Sequence, residues 1–124
     1  EVISSYVSTL NECAYSYSNH WKNACHLMND PQKAEQIDAA FKIRAPENVF
    51  DGAQLAMLRY AEKLTLSPGD MQEADVNMLK NEGVSDGEIL EANQIIGYFN
   101  YVNRLLNGLG VSTDGDVVGY YKDD

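Results

Sequence analysis

Residues 86–107 carry apolar side chains on two stripes of one helix, and this double stripe constrains the fold more than any other feature. Ile89, Ala92, Ile96 and Phe99 follow one line; Ile95, Tyr98, Val102, Leu105 and Leu109 follow another. A helix that is apolar on more than one side is buried by several neighbours or by another subunit. Its remaining surface carries Asn93, Gly97, Asn100, Arg104 and Asn107, with Asn103 beside them. Ser85-Asp-Gly-Glu88 has the capping-box spacing and opens the helix, and Gly108 and Gly110 close it. Partners for this helix must come from the rest of a 124-residue chain, which is one domain with enough length to bury a core.

Those partners also read as helices. Val2, Ile3, Tyr6, Val7 and Leu10 recur at helical spacing, so residues 2–11 form a helix that breaks at Asn11-Glu12. A second helix spans 14–28, with Tyr17, Trp21, Ala24, Cys25 and Met28 on its apolar side. Asp30-Pro31 ends it and opens a short helix over 31–40. Residues 42–50, with Pro46 and Asn48, are a loop. Asp51 caps a helix over 52–65, whose inner face holds Leu55, Leu58, Ala61 and Leu64. Ser67-Pro-Gly-Asp70 is a turn, and a shorter helix over 71–81 stops before Gly83. No strand pattern or internal repeat emerges. The expectation is an all-α domain over 1–111 and a polar tail over 112–124 that frays from Ser112.

Charge narrows the function classes. The net charge of −10 argues against nucleic acid, because phosphate binding needs a basic stripe, and it disfavours anionic membrane surfaces. No run of eighteen apolar residues predicts a spanning helix, and the first residues lack a secretory signal. Cys13 and Cys25 are the only cysteines. On one helix, their separation is roughly 18 Å of rise, whereas a disulfide needs Cα atoms within about 7 Å. Two free thiols fit a reducing, cytoplasmic compartment.

The chemistry concentrates in Cys13-Ala-Tyr-Ser16-Tyr-Ser-Asn-His20. This is C-x-x-C-x-x-x-H with serine at the second cysteine position. Spacings of three and four put a thiol, a hydroxyl and an imidazole on one helical stripe. At a helix start, the free N–H groups favour a thiolate, and His20 can take up a proton. Glu1 adds a carboxylate if the first helix folds back. The plain alternative is a small buried Cys13, a first-turn Ser16 and a hydrogen-bonded core His20. His20 and His26 are six residues apart and point in different directions, so no metal site is expected. Asn100, Asn103 and Arg104 form a second polar group, whose simpler reading is satisfaction of buried partners at a helix interface.

Several stretches in chain order resemble the alkylhydroperoxidase D-like, peroxidase-related proteins of the carboxymuconolactone decarboxylase superfamily. They are residues 1–8, Asn11 to Ser16 with His20, Leu58 to Pro68, Gly83 to Glu91, and Gly97 to Arg104 continuing through Val111. The resemblance implies an alkylhydroperoxidase D-like helical bundle. Family members usually carry further N-terminal helices, so the chain is expected to lack these. It implies thiol-dependent hydroperoxide reduction, with Cys13, His20 and Glu1 at matching positions, Tyr15 between the cysteine positions, and no organic cofactor. It also implies a peroxide substrate, a partner thiol reductant and a homo-oligomer. Ser16 departs from the family at the usual peroxidatic cysteine, so activity is lost or altered. A serine hydroxyl is far less acidic than a thiol and gives no sulfenate. Two alternatives stay open: a non-redox carboxymuconolactone decarboxylase-like lyase using His20 and Glu1, and a non-catalytic oligomeric member of the fold.

Overall fold

A computed structural model describes residues 1–121. It contains six α-helices: α1 (Val2–Leu10), α2 (Ala14–Met28), α3 (Pro31–Lys42), α4 (Gly52–Leu66), α5 (Glu73–Asn81) and α6 (Asp86–Leu109). Short 3-10 turns occupy Pro46–Asn48 and Pro68–Asp70, and no strand occurs among the described residues. The all-α class predicted from periodicity is therefore the observed one.

Local chemistry explains the helix ends. The Asp30 side chain accepts from the Lys33 amide at 3.1 Å, with Pro31 in the first turn of α3. Ser85 and Glu88 form the capping box that opens α6, with bonds of 2.8 and 3.2 Å. The helix does not stop at Gly108. It continues to Leu109 and closes at Gly110, whose φ of +66° is the left-handed cap that glycine adopts without strain.

Helix α1 is the centre of the bundle and packs against α2, α4 and α6. Tyr6 and Leu10 join Ile37, Phe41, Phe50 and Leu58 in one apolar cluster. Val7 joins Ala61, Leu79, Ile89 and Ile96 in another. Ser4, Ser5 and Ser8 are buried as well. The hydroxyls of Ser5 and Ser8 fold back onto the carbonyls of Glu1 and Ser4, each at 2.8 Å, which satisfies them inside the helix. These small side chains let α1 sit deep among its neighbours.

Two expectations change. The inward face of α2 is mainly polar: Ser16, Asn19 and Asn23 are buried together with the expected Ala24, while Tyr17, Trp21, Cys25 and Met28 are only partly covered. The apolar pattern pointed to the flank shared with α3. In its described part the tail does not simply fray, because residues 119–121 return to α2; residues 122–124 lie outside the described residues. Part of the outer surface of α6 stays open, with Tyr98 60% and Tyr101 63% exposed. No helix among the described residues is long and apolar enough to cross a membrane.

Candidate functional site

The turn Asn11-Glu12 sets the start of α2. Glu12 adopts a positive φ of 53°, uncommon for a residue with a side chain, and the chain reverses there. The Cys13 amide bonds the Ser8 carbonyl at 2.8 Å, which pins the N-cap of α2 to the end of α1. Cys13 is 1% exposed. Among the described residues, no side-chain hydrogen bond reaches its thiol. It lines a recess of about 310 Å³ with Thr9, Glu12, Tyr17 and Lys42.

One turn further along α2, Ser16 is buried. Its Oγ lies 2.8 Å from the Ser8 hydroxyl, which donates either to Ser16 or to the Ser4 carbonyl. Ser8 also accepts from Asn103 Nδ2 at 3.3 Å. Asn11 Nδ2 reaches Asn103 Oδ1 and Asn100 Oδ1, both at 3.0 Å. Asn100 Nδ2 in turn bonds Thr65 Oγ1 at 3.0 Å, and Arg104 bonds Asn100 Oδ1 at 2.9 Å. A polar seam thus runs from Ser16 through α1 to α6 and α4. In low dielectric such a seam holds only if its members are satisfied, and these are.

Folding α1 back along α2 brings Glu1 to His20. Glu1 Oε2 and His20 Nδ1 are 2.8 Å apart, with the His20 side chain 13% exposed. A carboxylate on Nδ1 fixes the ring orientation and leaves Nε2 for proton exchange. The Phe99 ring packs edge-on to the imidazole at 4.6 Å between centroids, and Tyr120 does so at 5.8 Å. Glu1 also lines a cavity of about 370 Å³ with Val2, Ala24, Met28, Ile37 and Phe50.

The four residues singled out from sequence are therefore arranged as one bonded pair and two separate groups. Glu1 meets His20. Ser16 meets Ser8. Cys13 is seven residues from His20, about 10 Å of helical rise, and faces a different recess from the one Glu1 lines. Among the described residues, no three His, Cys, Asp or Glu side chains gather as a metal ligand set.

The other cysteine has a different environment. Cys25 is partly exposed and lines a cavity with Trp21, Pro31, Ala34 and Asp38. Burial pushes its thiol pKa up, and the nearby Asp38 carboxylate pushes it the same way. Asp38 accepts from the Tyr17 hydroxyl and from Lys42 Nζ. Burial and then the Asp38 bond raise the Tyr17 phenol far above its ordinary range. Cys13, whose helix-start position favours a thiolate, is thus the more enclosed of the two thiols.

Sequence reasoning missed Ser8, Asn19 and Asn23. The pair Ser4/Ser8, i and i+4 within an apolar helix, was a usable signal for a buried polar line. Asn19 and Asn23 share that spacing, but their partner lies about a hundred residues away.

No protein-family model and no curated protein matches the chain. Among solved structures, it is similar to an uncharacterized peroxidase-related protein from Silicibacter sp. TM1040, with 28% sequence identity and a TM-score of 0.79. The match covers 90% of this chain and 56% of that one, so the chain spans little more than half its length. The alkylhydroperoxidase D-like, peroxidase-related resemblance read from the sequence is supported by this likeness.

Proposed function

We propose, from the premise that this chain shares its fold with a peroxidase-related protein, that it is an alkylhydroperoxidase-like protein in which Cys13 carries a reduced form of the activity. The observation that carries the reading is the 2.8 Å hydrogen bond between Glu1 and His20, the latter on the helix whose N-cap is Cys13. The Cys13 sulfur attacks the terminal oxygen of a hydroperoxide. An S–O bond forms, the O–O bond breaks, and the sulfur is oxidised by two electrons to a sulfenic acid. The thiol proton is given up through solvent and returned to the departing alkoxide, which leaves as an alcohol, with the Glu1-oriented His20 as the proton carrier. A partner thiol then condenses with the sulfenic acid, releasing water and forming a mixed disulfide. A second thiol frees Cys13 and leaves the partner as a disulfide. Ser16 cannot supply the resolving or peroxidatic sulfur, so each cycle depends on external thiols. Copies of the chain associate through the exposed outer face of α6, where Tyr98 and Leu105 lie.

Ser16→Cys tests the reading. Peroxide treatment of that variant should yield a disulfide between Cys13 and the introduced thiol, and faster peroxide consumption with a dithiol. A variant that forms neither removes the redox assignment. Light scattering on the full chain tests association, with Leu105→Lys shifting the species toward monomer.

A second reading has its own support. The Glu1–His20 pair is bonded, while the Cys13 thiol has no hydrogen-bond partner among the described residues. A non-redox lyase or isomerase would use His20 as base and Glu1 to orient it. Turnover of a lactone acid that survives Cys13→Ala would select this reading over the first.

A further inference from the structure

Residues 119–121 cross the face of α2 that carries His20. The Gly119 amide donates to Asn19 Oδ1 at 2.9 Å, and the Tyr120 amide donates to Asn23 Oδ1 at 2.7 Å. Asn19 and Asn23 stand one turn apart on α2 and are both buried, Asn23 completely. Two asparagines at i and i+4 thus read two consecutive backbone amides of a segment about a hundred residues away. Their reach sets the Tyr120 ring edge-on to His20 at 5.8 Å. It also stacks the Tyr121 ring on His26 at 4.8 Å, with 3° between the planes.

The fit is specific to the residue at position 119. Gly119 has φ of +88°, and a Cβ there would lie 2.7 Å from Lys22 Cγ and 3.3 Å from Asn23 Oδ1. Any larger residue is strained in backbone and crowded in space. The hold is nevertheless light. The intervening segment is largely exposed, with Val117 94% exposed, and Tyr120 itself is 71% exposed. Asn23 Nδ2 is buried without a partner among the described residues, a cost that the closed arrangement carries. A segment with few buried contacts opens locally without unfolding the bundle.

We propose that residues 119–121 form a strap that closes the Glu1–His20 pair, latched by Asn19 and Asn23, with Tyr120 as the wall that a reactant must displace to reach His20 Nε2. Asn19 and Asn23 are positioning residues, which act through the backbone amides of Gly119 and Tyr120. The strap relates to the proposed peroxidase reading only through the use of His20, and its protection of the ring is read without peroxide.

Carbethoxylation of the 124-residue chain by diethyl pyrocarbonate, followed residue by residue with mass spectrometry, tests this. Gly119→Val unseats the strap and should speed modification of both His20 and His26 by roughly tenfold, the scale of two lost hydrogen bonds. Tyr120→Ala keeps the backbone latch but removes the wall, so His20 should speed up while His26 keeps its wild-type rate. An unchanged His20 rate in both variants overturns the proposal. Protection of His20 by the strap, together with a Cys13 that never oxidises, would instead retain the strap and remove the peroxidase reading.

Discussion

The two halves of α2 each carry a cysteine and a histidine, yet they differ in what holds them. The first half, Cys13 to His20, is fixed from within: Ser16 joins the polar seam and Glu1 fixes His20. The second half, Cys25 and His26, faces outward, with Cys25 beside a carboxylate and His26 under a tyrosine ring. A carboxylate does opposite things in the two places. Bonded to an imidazole, it orients a proton carrier; near a thiol, it discourages the thiolate. Chemical competence along a helix therefore follows the partner each residue meets, and the residue types alone do not decide it.

The largest expected effect separates the halves by activity. Cys13→Ser should lower dithiol-dependent peroxide consumption by about a hundredfold or more, since it removes the sulfur to which the proposed chemistry is assigned, while Cys25→Ser should change it less than about twofold. Equal losses in a coupled peroxide assay would erase the distinction. Next comes stability. Asn103→Leu strips Ser8 and Asn11 of a buried partner and should cost about 2–3 kcal/mol in urea unfolding. Asp38→Asn, on α3 beside both Tyr17 and Cys25, should cost about 1 kcal/mol or less.

A smaller effect concerns Glu1→Gln, which keeps a hydrogen-bonding group on His20 but removes the charge. Peroxide turnover should fall by about tenfold, with little change in Cys25 alkylation. The smallest effect is one of reagent size and pH. A bulky maleimide should label the partly exposed Cys25 before the enclosed Cys13, whereas hydrogen peroxide should oxidise Cys13 first. Because burial raises the Cys25 pKa, its alkylation rate should keep rising beyond the pH at which an ordinary thiol levels off. The folded state holds that proton more tightly than the unfolded chain. The linked stability is therefore present below the unfolded pKa and lost as pH rises through the folded value. Tyr6 and Tyr17, both raised chiefly by burial, act in the same direction, so Cys25→Ala should soften alkaline destabilisation only slightly.

The helices were legible because capping chemistry and apolar spacing are local. Asp30-Pro31 and the Ser85/Glu88 box mark ends that the structure keeps. The exit of α6 was less legible. A glycine at 108 is tolerated inside a helix, and the terminus is set by the left-handed conformation at Gly110. The face of α2 was misread for a related reason. Apolar periodicity finds the side that seeks oil, but this helix buries Ser16, Asn19 and Asn23 against hydrogen-bond partners that sequence spacing cannot reveal. The position of Cys13, enclosed and away from the Glu1–His20 pair, also depends on where the Glu12 turn sends the chain. The partners of Asn19 and Asn23 lie in a segment without periodicity, and such long-range contacts leave no local mark.

The seam from Ser16 through Ser8, Asn103, Asn11 and Asn100 also serves as a key for alignment. Leucines can slide past one another by a turn with modest loss, because apolar contact has no direction. Hydrogen bonds have direction, so a one-turn slip of α6 along α1 would separate Asn103 from Ser8 and both asparagines from Asn11 at once. Each stranded buried group would cost about 1–3 kcal/mol. The seam thus selects a single register from those that the two apolar stripes of α6 alone would permit.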